Sequence, residues 1–554
     1  SVDGLPLALE LAAARARVLS LPELAELLAE RLDVLAAGPR TARPQHRTLR
    51  ACVAWSYELL DDEEQALLRA LSVVTGSCDL AAVAALCPPA NDTPGDDTSG
   101  NDASGNAPPG NSGVGGHVTG DQGGRTVLDL VDRLVGRSLL VADRRRTGTR
   151  YRMLDTIRRF AAELLARRPD ELYAARDRHA EHYSWLVAEL DSRLRGADLE
   201  HVLDRLAAEH DNLRTAMSWL ASGDDPEAAL ALARAAWQYC YLRGHYAEGR
   251  RWLRTALARA DGLPPQLVGE ALAGAAALAH YACDYPEATA LGERALATYR
   301  ELGDGRGTAL ALTRLASVAR EQADYPRALR LQSDALELFE RAGDEWGVGH
   351  ALQLLGLASW LSGDAAGAGA WSTRALRTLT AVGDKERIAW TLLDRGAGSL
   401  YGKPGDEDTA RGHLDTARRL FTEVGFQEGL AWADELLALA DLRQDDVPAA
   451  VNRLTASLRV HHELGDRWRV ASVLEALAGV AARLDDAAAC GALLAVADGT
   501  RAAIGAPVPA CERPAVDRTR AWLGGRDTGP FPEPATTTEI AAHLARLRLR
   551  AGVA

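Results

Sequence analysis

Apolar residues recur along most of this chain at steps of three and four, the spacing of a single helix face. Leu7, Leu11, Ala14 and Val18 follow it within Leu5 to Val18, and Leu24, Leu27, Leu28, Leu32 and Leu35 follow it after Pro22. Leu49 to Leu60 and a stretch ending at Val73 predict two more helices. The second opens on Asp61-Asp62-Glu63-Glu64, whose carboxylates suit an N-cap and a first turn. Further helices are predicted over Leu80 to Leu86, Val127 to Val135 and Asp155 to Arg167. Between the last two, the pattern predicts strands at Ser138 to Ala142 and Thr149 to Met153, flanking a basic hairpin tip from Asp143 to Gly148. Three helices, a two-stranded wing and a closing helix is winged-helix order.

From about Asp225 to Asp498 the helical pattern repeats. Gly-Asp pairs stand at 303/304, 343/344, 383/384 and 465/466, and Asp284, Asp324, Asp364, Asp406 and Asp446 follow at steps of 40, 40, 42 and 40 residues. Two helical stretches per period predict a helical solenoid, in which each unit is too thin to bury its own face and stacks on the next. Ala328, Leu331, Ala335, Leu338 and Ala342 make one stripe, and Ala288, Leu291, Ala295, Thr298 and Leu302 make the same stripe 40 residues earlier. Small residues there allow close helix approach, and Gly303 and Gly343 fall where a helix must stop.

Composition changes the picture in three places. Residues 88–125 hold ten glycines and five prolines and lack Leu, Ile, Phe, Tyr and Trp, so they predict a disordered insertion. Acidic residues outnumber basic ones 77 to 63, a net charge of −14 that does not suit a protein wrapped mainly around phosphates. Yet Arg125 to Arg168 carries twelve arginines against five acids, and Arg144, Arg145 and Arg146 crowd the predicted wing. Such a wing can lie on DNA, or it can pack beside an acidic protein surface, and the second reading is preferred. Seven scattered cysteines without a C-x-x-C pair predict reduced thiols, and no membrane span or signal peptide is evident, so a cytoplasmic location is expected.

No nucleophile or metal-ligand motif appears. His179 and His182 are spaced i, i+3 without a third ligand in view, which points to a packing or surface pair, and no metal is expected. The glycine-rich insertion has neither the lysine nor the strand of a P-loop. The chain is therefore expected to have no catalytic residues and not to be an enzyme.

Several local motifs resemble one family. Gly4-Leu5-Pro6-Leu7 is similar to the GLPL motif that opens the last helical subdomain of NB-ARC, or STAND, signalling ATPases. Tyr151 to Ala161, containing Met153-Leu154-Asp155, resembles the segment around the Met-His-Asp motif that ends their winged helix. Glu209-His210-Asp211-Asn212-Leu213-Arg214 resembles the junction that joins winged helix to tetratricopeptide repeats in large actinobacterial regulators of the LuxR/SARP-like class. The repeats themselves resemble 40-residue tetratricopeptide units, with Leu355-Gly356, Ala368 and Ala375 at the signature positions.

The resemblance implies a mainly α protein: a remnant of the NB-ARC helical subdomain over 1–40, a winged helix over 41–168 interrupted by 88–125, and a helical junction over 169–225. A repeat solenoid over 226–512 and a tail over 513–554 with a short helix complete it. It implies the C-terminal part of an ATP-dependent regulator whose phosphate-binding parts precede Ser1. ATP or ADP belongs to the intact protein and no cofactor to this chain. Pro6 would lie against adenine, whereas Leu154 stands where the family places a histidine and has no hydrogen-bond donor for phosphate. The expected partners are an upstream ATPase domain, DNA through the intact protein, and an inducer or protein on the repeats that drives oligomerisation. In such arrays the first helix of each repeat lines a groove, which places His280, Tyr281, Arg320, Gln353, Trp360 and Arg395 on or near it. Aromatic faces beside guanidinium groups suit an anionic or aromatic ligand, or a peptide carrying carboxylates. A repeat scaffold without nucleotide control is the alternative.

Overall fold

The computed structural model describes residues 49–89, 126–145, 148–401, 407–526 and 537–553. Gly4-Leu5-Pro6-Leu7, the rest of the 1–40 segment, all but the first residues of the 88–125 insertion, and Arg146 lie outside the described residues. The described chain holds twenty-four α-helices and three short strands, and the mainly α architecture ends in a solenoid. It falls into two compact units: the described residues up to Leu186 with Ala207–Ser222, and Val187–Leu206 with everything from Gly223 on. The predicted junction of 169–225 is thus divided between the two units.

The first unit runs α1 (Leu49–Glu58), α2 (Asp62–Leu71), β1 (Ser77–Cys78), α3 (Leu80–Leu86), α4 (Val127–Gly136), β2 (Val141–Arg145), β3 (Gly148–Arg152) and α5 (Asp155–Ala166). The start of α6 (Pro169–Asp191) and α8 (His210–Ser222) belong to it as well. Asp61 and Glu64 form a reciprocal capping box at the head of α2, as its acidic first turn predicts. Leu67, Leu68, Val83, Leu86, Leu134 and Ile157 fill the core.

The sheet order is β1-β3-β2, all antiparallel, so the predicted hairpin gains a third strand. The first hairpin strand lies three residues later than predicted, because Ser138 takes a left-handed φ of 59° after α4 and delays the extended chain. Arg144 therefore pairs with Thr149 within the hairpin rather than at its tip, with its side chain exposed.

Arg150, on β3, is buried and fully engaged. Its Nε donates to Ser77 Oγ (3.1 Å), its Nη2 to the carbonyls of Ser77 (2.6 Å) and Ala208 (3.1 Å), and its Nη1 pairs with Glu209. Asn212 completes this clamp: its Nδ2 donates to Ser77 O and Glu209 Oε2 (both 3.0 Å), and its Oδ1 accepts from the Thr75 amide (2.9 Å). His179 turns inward to the same Asn212 oxygen at 3.5 Å. Burial pushes its imidazole down to about 4.

The second unit contains α7 (Leu199–Ala208), nearly all of it, and then seven antiparallel helix pairs. These are α9 (Pro226–Leu242) with α10 (Tyr246–Leu257), α11 (Pro265–Tyr281) with α12 (Tyr285–Leu302), and α13 (Gly305–Glu321) with α14 (Tyr325–Ala342). There follow α15 (Glu345–Leu361) with α16 (Ala365–Val382), α17 (Lys385–Tyr401) with α18 (Glu407–Val424), α19 (Gln427–Arg443) with α20 (Val447–Leu464), and α21 (Arg467–Arg483) with α22 (Ala487–Ile504). Two tail helices, α23 (Arg513–Leu523) and α24 (Thr537–Arg550), follow. From α11 to α22 the first helix of every pair has 17 residues and the second has 18.

Local chemistry sets this regularity. Asp284, Asp304, Asp324, Asp344, Asp364, Asp446, Asp466 and Asp486 each cap a helix by accepting from the amide three residues on. Gly303, Gly343, Gly383, Gly465 and Gly505 end the second helices in the left-handed conformation. The expected small positions are core: Ala288, Ala295, Ala328, Ala335, Ala368 and Ala375 are all nearly inaccessible. Ala487–Ile504 is apolar and long enough to cross a membrane by composition alone, but half of it is buried as the second helix of its pair.

A less obvious rule sits at the third residue of the first helices. Gly307, Gly347 and Gly429 pack directly against Tyr299, Phe339 and Phe421 of the preceding helix, and a Cβ at any of them would clash with the ring. The same position in α17 and α21 is Arg387 and Arg469, and the aromatic is replaced by Leu379 and His461. In those two repeats a guanidinium takes the place of a glycine–aromatic contact.

Candidate functional site

The solenoid coils tightly enough to bring distant repeats together. Tyr241 of α9 donates to Glu386 Oε1 of α17 (3.0 Å), Tyr246 of α10 donates to Glu428 of α19, and Arg467 of α21 reaches the Cys283 carbonyl (3.2 Å). The chain after Gly505 returns along the inner side, where the Cys511 amide donates to Leu361 O (3.1 Å) and the Ala510 amide to Tyr325 Oη (3.4 Å). Glu512 then accepts from Ser472 Oγ (2.8 Å) and Arg469 Nη2 (3.2 Å). These contacts leave an inner cavity with about 60 Å³ open to the centres of water-sized molecules, room for a few waters or one small polar ligand.

All six first helices from α11 to α21 contribute to its wall. Of the predicted groove residues, His280, Tyr281, Arg320 and Gln353 line it together. Trp360 does not: it is 1% exposed, its Nε1 donates to Asp394 Oδ1 (3.3 Å), and its ring stacks on Tyr401, so it is core. Arg395 also lies off the cavity, donating to Thr373 Oγ1 at 3.0 Å. Trp360 lies two turns beyond Gln353 on the same helix face, past the end of the cavity lining.

Part of the cavity wall is internally paired, although Arg469 Nη1, Trp432 Nε1, Trp468 Nε1 and Glu321 Oε2 have no hydrogen-bond partner there. Arg469 lies between the rings of Trp432 (4.5 Å) and Trp468 (4.6 Å) and pairs with Glu435 and Glu512. Arg320 pairs with Glu321, which also contacts His280 Nε2 at 3.3 Å. Burial pushes the Glu321 carboxyl up, but Arg320 and the His280 hydrogen bond outweigh it and hold the group at about 2. Gln353 Nε2 donates to Asp394 Oδ2 (2.7 Å), and burial raises Asp394 to about 7 despite that bond.

Around Arg314 and His350 the pairing is thinnest. Arg314 stacks over Trp237 (5.3 Å), and its Nε has no hydrogen-bond partner. His350 Nδ1, Arg320 Nε and Gln353 Oε1 also lack one, although each of these side chains is more than nine-tenths buried. Arg387 pairs with Glu386 (2.9 Å). Burial first, and then Arg387, Arg314, Arg195 and Arg320, hold His350 far below the usual imidazole range. His350 is thus an uncharged ring in a field of guanidinium groups. Sequence reasoning missed Arg314, His350 and Arg387. The signal for Arg387 was the exchange of glycine for arginine at a fixed place in the repeat.

Elsewhere, Met153 is buried and Leu154 is the N-cap of α5 with no side-chain hydrogen bond, so Asp155 begins that helix in its first turn. Neither the Met153-Leu154-Asp155 segment nor Arg144 contributes to the inner cavity's lining.

Paired helices of constant length, stacked by small residues, define a tetratricopeptide-repeat array. A family model described as "Tetratricopeptide repeat" matches residues 267–341. The chain is 33% identical over 322 residues to "Putative HTH-type transcriptional regulator Rv0890c" of Mycobacterium tuberculosis, covering 56% of this chain and 32% of that protein. It is 32% identical over 165 residues to "Uncharacterized protein Rv0894" of the same organism, 30% of this chain and 35% of that one. The chain thus spans about a third of the length of the curated relatives it matches. Among solved structures it is similar to the Signal Transduction ATPase with Numerous Domains (STAND) protein with a tetratricopeptide repeat sensor PH0952 from Pyrococcus horikoshii. That match has 13% identity and a TM-score of 0.36 and covers 99% of this chain and 72% of that one. A Rap protein complexed with Competence and Sporulation Factor matches at 13% identity and TM-score 0.44, covering 67% and 98%. The chain carries tetratricopeptide repeats in a solenoid and is similar to a protein named as a putative transcriptional regulator.

Proposed function

We propose that this chain is the sensor and signalling part of an ATP-dependent, STAND-type transcriptional regulator, in which an inducer held inside the repeat array sets the state of the intact protein. The inner cavity carries the reading: six successive first helices converge on one space, so a ligand held there bears on several repeats at once. The name of the mycobacterial relative and the order of motifs along the chain add support. The cavity's size favours a small inducer over a protein on the inner face.

In this reading the first unit, with its helices and antiparallel hairpin, serves as the winged helix. DNA contact falls to the intact protein, which is cytoplasmic and oligomerises on activation. ATP or ADP belongs to that protein too. Gly4, Leu5, Pro6 and Leu7 lie outside the described residues, and Leu154 offers an aliphatic side chain where a phosphate would need a donor. The described residues at this segment therefore do not fit a nucleotide phosphate.

Replacing His350 by Leu in the intact regulator tests the sensor reading. An uncharged buried ring exchanged for an apolar group of similar bulk leaves the fold nearly undisturbed. The expected result is loss of inducer-dependent transcription from a reporter, with the protein still present at normal level and melting temperature. An unchanged response overturns the reading.

A further inference from the structure

We infer that the part of the inner cavity around Arg314 is a receptor for a small dianion that also carries a hydroxyl, the chemistry of hydrogenphosphate or of a small phosphate monoester with a hydroxyl on its organic part, seated between Arg314 and Arg387 beside His350 and Gln353. The inference rests on the sensor reading for its role but on the geometry for its chemistry.

The charge comes first. Arg314 lies on the cavity wall with the Trp237 ring as its neighbour and has no ion pair among the described residues. Arg387 shares its one carboxylate, Glu386, with two further donors: the Tyr241 hydroxyl at 3.0 Å and the Trp390 indole at 2.8 Å. Taking guanidinium groups out of water without full neutralisation is costly, and a bound anion offsets that cost. Of the carboxylates on the same wall, Glu321 is matched by Arg320, Glu428 accepts from Tyr246 and Asp466 caps α21, so none of them pairs with Arg314.

The hydrogen-bonding pattern narrows the class. Arg314 Nε and Arg320 Nε are donors awaiting acceptors, and Gln353 Oε1 is an acceptor awaiting a donor. His350 Nδ1 is free to serve as either, according to its tautomer. A fully ionised dicarboxylate or sulfate has acceptors only, whereas hydrogenphosphate brings acceptors for the arginines and an O–H for Gln353. Guanidinium groups suit phosphate because their forked donors match its oxygens. The available space accommodates an ion of this size.

The test is isothermal titration of residues 1–554 with inorganic phosphate, at fixed pH and an ionic strength held constant with sodium chloride, with parallel titrations of sulfate and succinate. The expected result is saturable binding of one phosphate, with sulfate and succinate at least about tenfold weaker. Arg314→Gln should weaken phosphate about tenfold or more, the usual consequence of losing a charge-assisted hydrogen bond. Arg314→Lys should restore part of the affinity. Arg330→Gln, an exposed site on α14, should change nothing. Arg387→Gln is the second probe; because it also frees Glu386, circular dichroism must first show a native spectrum, and Arg314→Gln decides if it does not.

Tighter succinate than phosphate overturns the phosphate class. Absence of binding by any of the three, or equal weakening by Arg314→Gln and Arg330→Gln, overturns the site. If phosphate fails to bind while His350→Leu still silences the reporter, the dianion inference falls and the sensor reading stands. If phosphate binds as described while His350→Leu leaves the reporter response intact, the reverse holds.

Discussion

Arg150 in the first unit and Arg314 in the second are both arginines drawn in from the surface, and they are treated in opposite ways. Arg150 spends its donors on Ser77, Ala208 and Glu209, and Asn212 braces the same carboxylate. Arg314 has an indole face for a neighbour and an Nε with no partner. A buried charge whose donors are all filled by its own chain holds loops in place. A half-buried charge on a cavity wall, whose Nε is closed off from water without a partner, is prepared for something else. The contrast separates a structural arginine from a receptive one.

The largest effect is expected where the clamp is broken. Arg150→Gln leaves Glu209 buried without its cation and several carbonyls without donors, so it should cost the first unit about 3 to 5 kcal/mol. Urea denaturation followed by a probe within residues 49–186 checks this. A cost below about 1 kcal/mol would mean the clamp is dispensable.

Next comes pH. The imidazole of His179 titrates near 4 in the native state, while an unfolded histidine titrates near its ordinary value of 6.5. Above both values neither state binds the proton and there is no effect. As pH falls through the window between 6.5 and 4, the unfolded state takes up a proton that the native state refuses, and stability declines by a total of order 3 kcal/mol. His179→Gln should flatten the stability profile across that window. An unaltered slope would place the titration elsewhere.

Smaller again is the packing rule of the repeats. Gly347→Ala pushes a methyl group into the Phe339 ring, with an expected cost of about 1 to 3 kcal/mol. Gly369→Ala, in the following helix with open space around it, should cost nothing or stabilise slightly by helix propensity. Equal melting temperatures for the two variants would show that the ring gives way freely.

How much of this is legible in the sequence follows from the range of the interactions. The aspartate caps and glycine stops act within three or four residues, so they fix the 40-residue period and even the turns without tertiary knowledge. The small positions of the stripe are legible for the same reason. The first unit's third strand is not, because β1 is two residues long, too short to carry a period. The Arg150 clamp joins residues 58 to 73 positions apart, and no local pattern announces it. Trp360 reads as a groove residue because its helical register points near the inner face. Its true place depends on Asp394 and Tyr401 in the next repeat, which only the coiling of the array brings against it. Arg387 is readable in principle, as an arginine where neighbouring repeats carry Gly307, Gly347 and Gly429. The cavity itself is not, because it depends on α9 and α10 reaching α17 and α19 some 145 to 182 residues later.

The most direct test of the contrast is a thermal melt of Arg150→Gln and Arg314→Gln beside the unaltered chain, each with and without saturating inorganic phosphate at matched ionic strength. Arg150→Gln should melt earlier in both conditions and keep the full upward shift that phosphate gives the unaltered protein. Arg314→Gln should melt within a few degrees of the unaltered protein without phosphate, since it removes an unfilled charge, and should lose the phosphate shift. If Arg314→Gln collapses the fold as Arg150→Gln does, or retains the whole phosphate shift, then Arg314 is structural and the distinction drawn between the two arginines is wrong.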